Sequence, residues 1–161
     1  MYARVLVLAI ICLVMPRSVS AQTVELVYTP AVMQDAIALK ESLRGPLVHA
    51  SNALLLIGAP VDTKKKYVET LARASVVLIL GEHALKLVGE VGFSGQVILI
   101  NATGPVATKG RVFRVFDKAP PVTAAAVTSS ADVTKLMASG GEVVLKGQTE
   151  TTIQAVLGAL K

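Results

Sequence analysis

The sequence predicts an α/β protein in which helices cover both faces of a mostly parallel β-sheet, a three-layer sandwich. Three observations favour this class. Short apolar segments alternate along the chain with segments whose apolar residues recur at helical spacing. The segments 76–80 and 97–100 are apolar at every position, as in parallel strands that are buried on both faces. The connections between segments are short, as is typical of α/β units.

The first half of this pattern contains three predicted strands and two predicted helices. In order, these are a strand at 24–29, a helix at 31–44, a strand in the apolar run 53–58, a helix at 64–74 and a strand at 76–80. Gly45 followed by Pro46 is a helix stop signal. Asp62 and Thr63 can cap the second helix.

The second half continues the alternation. In order, it predicts a helix at 82–91, strands at 96–100 and 112–116, a helix at 131–138, a strand at 142–145 and a closing helix at 149–160. Arg114 interrupts the apolar residues of its strand, which favours a place at the sheet edge. Residues 122–131 favour no single element. The alternation is flavodoxin-like in outline, and no linker divides residues 22–161, so we expect a single domain there.

Residues 1–21 have the three parts of a cleaved secretory signal. Arg4 supplies a positive charge, residues 5–15 are an unbroken apolar run, and small residues precede Gln22. The alternative, an uncleaved membrane anchor, needs roughly 20 apolar residues. Cleavage would remove Cys12, the single cysteine of the chain. A secreted domain without disulfides indicates a bacterial periplasm rather than a disulfide-rich extracellular protein.

Composition excludes several classes of function. A hydrophobic fraction of 53% excludes intrinsic disorder. After loss of residues 1–21 the chain has 14 basic and 11 acidic residues, with few aromatic side chains and no basic stripe, so nucleic-acid binding is not expected. Two histidines and no remaining cysteine argue against a zinc site. No phosphate-binding, dinucleotide-binding or nucleophile-elbow motif occurs, so we expect neither a cofactor nor an enzyme.

Ligands of open parallel sheets bind outside the carboxyl ends of the strands, which here are followed by the turns 29–30, 58–60, 81–83 and 101–105. Gly81 would let the backbone approach a ligand, while Glu82 and His83 would add an acceptor and a titratable donor. The alternative is that these residues only build turns. His49 has apolar neighbours and is expected to be a surface or core residue rather than a ligand.

Residues 74–86 carry a resemblance: an apolar strand, Gly81, a polar residue and then a helix. They resemble a step of the periplasmic substrate-binding proteins of ABC transporters, most closely the subgroup with two flavodoxin-like lobes for amino acids and related solutes. A strand like 97–100 and a polar-Gly-Pro loop like 101–105 follow in that subgroup. The resemblance implies ligand contacts at Thr29, Gly81, Glu82, His83, Asn101 and Thr103.

The chain departs from this family in two respects. It has the length of one lobe, so closure around a solute would need two copies to pair, and Glu82 stands where the family usually has Thr or Ser. We therefore expect a non-enzymatic periplasmic protein that binds a small solute and works with a membrane permease. The alternative is an accessory interaction module of a cell-envelope complex, as a homodimer or with an envelope protein. A small secreted hydrolase is the third hypothesis.

Overall fold

A computed structural model describes residues 22–161, so the predicted signal segment 1–21 lies outside the described residues. In this described part of the chain, seven strands form one sheet in the order β2-β1-β3-β4-β5-β7-β6, and every pairing among them is parallel. The strands are β1 (Thr23–Tyr28), β2 (Leu47–Asn52), β3 (Val76–Leu80), β4 (Gln96–Ile100), β5 (Val112–Phe116), β6 (Ala125–Ala126) and β7 (Val143–Lys146).

Within residues 22–161, six α-helices cover the two faces of this sheet. They are α1 (Met33–Ser42), α2 (Leu55–Gly58), α3 (Val61–Arg73), α4 (Glu82–Val88), α5 (Ser130–Met137) and α6 (Thr149–Ala159). Residues of α1, α5 and α6 pack into the core on one face, and residues of α3 and α4 pack into the core on the other. The predicted three-layer α/β fold is confirmed.

The strand β3 shows why the apolar runs in the sequence lie inside the sheet. Val76, Leu78 and Leu80 point into the core beneath α1 and α6, while Val77 and Ile79 point into the core beneath α3 and α4. Because successive side chains of a strand point to opposite faces, a strand covered on both sides needs an apolar residue at each position. All five residues are buried.

The order of the strands places a topological switch point between β1 and β3. The chain passes from β1 to β2 on one side and then crosses to β3 on the other side. The part β2-β1-β3-β4-β5 has the flavodoxin-like order, and β7 and β6 extend it. In such sheets the loops at the carboxyl ends of the strands leave a crevice for ligands near the switch point.

The predicted second strand is wrong. The strand is Leu47–Asn52, and the apolar run that was expected to form it contains the short helix Leu55–Gly58. The true strand lies at the sheet edge, where one side is open, so its sequence carries polar residues such as His49 and Ser51. The expected turn after the second strand, 58–60, therefore does not follow a strand.

The predicted edge position of residues 112–116 is also wrong. The strand β5 lies inside the sheet between β4 and β7. Arg114 is accommodated there because Glu142 accepts two hydrogen bonds from its guanidinium, at 2.7 and 3.1 Å. The carbonyls of Ala102 and Gly104 accept two more, at 3.2 and 3.0 Å. The hydrogen bond and charge of Arg114 lower the pKa of Glu142, which keeps the pair ionised.

The segment 122–131, for which the sequence favours no single element, contains β6 and the start of α5. Ser129 caps that helix: its hydroxyl accepts from the N–H of Asp132, and the Asp132 carboxylate accepts from the N–H of Ser129. Further hydrogen bonds from Thr128 to this carboxylate, together with those from Ser129, lower the pKa of Asp132.

Candidate functional site

A cleft opens at the carboxyl edge of the sheet, between α1 and the first turn of α6. Its volume is about 150 Å³, and Leu39, Leu80 and Ile100 form its apolar floor. Its polar lining consists of Asp35, Asn101, Asp117, Lys118, Thr149 and Glu150. The ends of β3, β4 and β5 meet here, which is the place where parallel sheets bind ligands.

Asn101, the residue after β4, has an unusual backbone conformation with a φ of +51°. Its side chain is held by the neighbouring strand end: the amide donates to Asp117 at 2.7 Å, and the amide oxygen accepts from the Asp117 N–H at 3.2 Å. Its own N–H donates to the carbonyl of Val115 at 2.9 Å. Left-handed conformations of residues other than glycine are uncommon and tend to occur at functional sites.

The loop after β5 is joined to α6 through the same carboxylate. The hydroxyl of Thr149 donates to the second oxygen of Asp117 at 2.9 Å. Asp117 therefore connects the end of β4 with the start of α6 across the cleft. This network gives the cleft a defined wall that is built from side-chain hydrogen bonds.

The charge of the cleft differs in sign from the charge of the chain. Three carboxylates, Asp35, Asp117 and Glu150, and one ammonium group, Lys118, line it, whereas the whole chain has a formal net charge of +5. An excess of negative charge in a small cavity attracts cationic groups. The single lysine adds a partner for an anionic group.

Of the six predicted site residues, one lines this cleft and another lines a second groove. Asn101 lines the cleft, whereas Glu82 lines a groove of about 480 Å³ between α4 and the loop after β4. In that groove Glu82 Oε2 accepts from the N–H of Thr103 at 2.8 Å. Glu82 and Thr103 are thus brought together, and their contact holds the loop against the first turn of α4.

The other three predicted residues have different surroundings. Gly81 adopts a φ of +87° at the turn from β3 into α4, and its N–H donates to the carbonyl of Ile100 at 2.8 Å. His83 is exposed in the first turn of α4. Thr29 is buried at the end of β1, with 3% of its surface exposed. None of these three residues lines the cleft.

Asp35, Asp117, Lys118 and Glu150 were not proposed as site residues from the sequence. Asp117 and Lys118 directly follow β5, in the same relation to their strand as Asn101 to β4. Recognition of β5 as an inner strand would have identified them. Asp35 and Glu150 reach the cleft from helices, and their placement depends on how α1 and α6 pack.

A second polar cluster lies on the face of the sheet that α3 covers, where side chains of β1, β2 and α3 meet. The carboxylate of Glu25 is 9% exposed, and the ring of His49 lies 3.7 Å from it. Ser51 shares a 2.9 Å hydrogen bond with Tyr67. Desolvation raises the pKa of Glu25, and the charge of His49 partly opposes this rise. Desolvation also raises the pKa of Tyr67, which keeps its hydroxyl protonated.

Neither cluster contains a recognisable metal centre. Within residues 22–161, no group of three or more His, Cys, Asp or Glu side chains is arranged to hold a metal ion. No helix of this part of the chain is long and apolar enough to cross a bilayer.

Comparisons with protein-family models, with curated proteins and with solved structures found no match for this chain.

Proposed function

We propose that the protein is a non-enzymatic periplasmic binding protein that holds a small solute with an amino group, such as an amino acid, in the cleft at the carboxyl edge. The observation that carries this proposal is the lining of the cleft. Carboxylates of Asp35, Asp117 and Glu150 offer partners for an ammonium group, and Lys118 offers one for a carboxylate.

The size of the cleft supports the same class of ligand. The volume of the cleft is about 150 Å³. Pockets for larger organic ligands usually have volumes of about 300–1,000 Å³. The cleft therefore suits an amino acid or a compound of similar size, which fits the resemblance to solute-binding lobes that serve a membrane permease.

The non-enzymatic part of the proposal rests on what the side chains with catalytic potential contact. The ring of His49 lies beside Glu25, and the hydroxyl of Ser51 is paired with Tyr67 instead of a histidine. The second histidine, His83, is exposed on α4, outside the lining of the cleft. These contacts favour binding over nucleophilic chemistry.

Thermal melting of the purified chain against a panel of amino acids, amines and simple carboxylates tests the proposal. We expect amino acids to raise the melting temperature by a few degrees at millimolar concentration, because only a ligand that prefers the folded state stabilises it. Glu150→Gln should reduce this shift, while Glu90→Gln, an exposed carboxylate outside the cleft, should retain it. Absence of any shift across the panel would contradict the proposal.

A second candidate is an accessory interaction module in a cell-envelope complex. It is favoured by the distribution of exposed apolar side chains: six of the seven large ones among the described residues lie between positions 33 and 61. Concentrated apolar exposure is typical of protein-interaction surfaces. Lack of solute binding together with capture of a specific envelope protein would support this candidate.

A further inference from the structure

The outer side of β2 is a free sheet edge in the described part of the chain. The N–H groups of Leu47 and Ala53 donate to carbonyls on the β1 side, at 2.9 and 2.7 Å. Because the main-chain groups of successive residues alternate in direction, Val48, Ala50 and Asn52 turn theirs away from β1. The edge therefore presents a row of three N–H and three C=O groups with no strand opposite.

This edge lacks the usual protection against pairing. Exposed edge strands are commonly guarded by lysine or other charged residues, by proline within the strand or by a bulge. The six residues of β2 include no Lys, Arg, Asp, Glu or Pro. The opposite edge strand, β6, has only two residues and offers far less to pair with.

Exposed apolar side chains are concentrated in this edge strand and in the elements that precede and follow it along the chain. They belong to α1, β2, α2 and the start of α3, and are Met33 (41% exposed), Ile37 (42%), Leu47 (57%), Leu55 (49%), Ile57 (62%) and Val61 (80%). The only other exposed large apolar residue of the described chain is Val122. Apolar exposure is thus concentrated on the segment that contains β2 and the elements next to it.

The helix α1 presents its apolar residues on the flank toward β2. Asp35 and Ala38 line the solute cleft and therefore mark the flank of α1 that faces α6. At about 100° per residue, Met33 and Ile37 lie one turn apart on the opposite flank. Since α1 packs over β1 and β2, this second flank borders the free edge.

We propose that two copies of the chain form a dimer by antiparallel pairing of their β2 strands, with a two-fold axis at Ala50. In this register Ala50 faces its counterpart, and Val48 faces Asn52 of the second copy. Each outward residue of β2 then exchanges both of its main-chain hydrogen bonds with a partner. The interface is isologous, so the same edge serves both copies, and the sheet continues from one copy into the other.

The area of this interface is sufficient for a dimer. Six residues at about 3.3 Å each give an edge of roughly 20 Å, and three layers about 10 Å apart give a thickness of roughly 30 Å. Each copy would bury on the order of 600 Å², so the total of about 1,200 Å² reaches the lower end of specific interfaces.

A second copy fits the surface better than an extended peptide does. A peptide added to β2 would satisfy the main-chain groups but would leave the apolar residues of the helix layers exposed. A second copy would place its own exposed apolar side chains next to those of the first copy. Ile37 in one helix layer and Leu55 in the other would then gain apolar partners. No Lys, Arg, Asp or Glu of β2 would meet its own copy across the two-fold axis.

Sedimentation equilibrium over a range of protein concentrations tests this proposal. The sample is the protein that accumulates when the full chain is expressed in a Gram-negative host. We expect a dimer at about 100 µM protein. Ala50→Pro removes an outward N–H from each copy but no hydrogen bond to β1. Its dimer dissociation constant should rise on the order of 30-fold, because two hydrogen bonds are lost per dimer. A wild-type chain that stays monomeric at every concentration would overturn the proposal and leave the surface to another protein.

Two substitutions of opposite charge at Ala50, the residue on the two-fold axis, test the register of the strand pairing. They do so even if the proline variant fails to fold. Ala50→Lys and Ala50→Glu should each be monomeric, since like charges would stand directly opposite each other, and an equimolar mixture should restore a dimer. Ala126→Lys on β6 is the matched control and should stay dimeric. Circular dichroism verifies that each variant is folded. Dimers of both single variants, or a mixture that remains monomeric, would exclude the pairing at Ala50.

Discussion

At the scale of single residues, Glu25 has an unusual environment for a carboxylate. It lies within β1 between apolar residues, its side chain is 9% exposed, and the nearby His49 compensates only part of its desolvation. Its pKa in the folded state is therefore raised above the ordinary value of 4.5. The folded state binds this proton more tightly than the unfolded state, so the contribution of Glu25 to stability is full below pH 4.5 and is lost as pH rises through the raised pKa.

Glu25→Gln should consequently raise the melting temperature at pH 7, because the glutamine carries no charge that burial penalises, and the difference should disappear below the ordinary pKa of 4.5. Differential scanning calorimetry between pH 4 and 8 measures this. Glu69→Gln, which removes an exposed carboxylate from α3, is the control for loss of charge. A lower melting temperature for Glu25→Gln at pH 7 would mean that the pair with His49 outweighs desolvation.

Asn101 combines a strained backbone with a structural side chain, and two substitutions separate these properties. Both Asn101→Gly and Asn101→Ala lose the hydrogen bonds to Asp117. Only alanine keeps the steric cost of a φ of +51°, so we expect it to unfold more easily than the glycine variant by about 1 kcal/mol. Urea unfolding measures the difference. Equal stability of the two variants would show that the backbone at this position relaxes.

At the scale of elements, the start of α5 depends on a capping box. The Ser129 hydroxyl accepts from the N–H of Asp132, and the carboxylate of Asp132 accepts from the loop before the helix. Ser129→Ala should reduce the free energy of unfolding by roughly 1 kcal/mol. Ser139→Ala, beyond the end of the same helix, is the comparison, because its hydroxyl donates only to the carbonyl of Leu136. Equal effects of the two variants would argue against the cap.

The strand β3 depends on burial from both sides. Leu78 is completely buried between β1 and β4, so Leu78→Ala should destabilise the protein by roughly 2–5 kcal/mol through lost transfer energy and a residual cavity. Val144→Ala, on a half-buried position of β7, should cost less. Urea unfolding of both variants gives the comparison. A nearly neutral Leu78→Ala would contradict the packing of helices on both faces.

At the scale of the whole molecule, the predicted secretion can be measured directly. When the full chain is expressed in a Gram-negative host, we expect the accumulated protein to begin at Gln22 and to be released with the periplasmic fraction. Mass spectrometry of the intact protein determines the first residue. Ala21→Pro, next to the expected cleavage site, should cause the uncleaved chain to accumulate. A wild-type protein that keeps residues 1–21 would contradict the proposed signal.

The sequence predicted most elements because their patterns are local. The strand β3 is apolar throughout, β4 is apolar at 97–100, and helices such as α3 repeat their apolar residues with helical spacing. The same dependence on local patterns explains why the prediction failed at β2 and β5. An edge strand with one open side has a weak pattern, and an inner strand with an arginine resembles an edge strand until its partner Glu142 is known.

By itself, the sequence determined the α/β class and most of its strands and helices, because burial on two faces imposes a continuous apolar pattern on inner strands such as β3. The tertiary structure decided which loops meet. Asn101 was found from its place after a strand, but Asp117 joins it only because β5 lies next to β4. The free edge of β2 likewise depends on the strand order. Contacts between distant segments depend on how whole layers pack, and no local pattern encodes that packing.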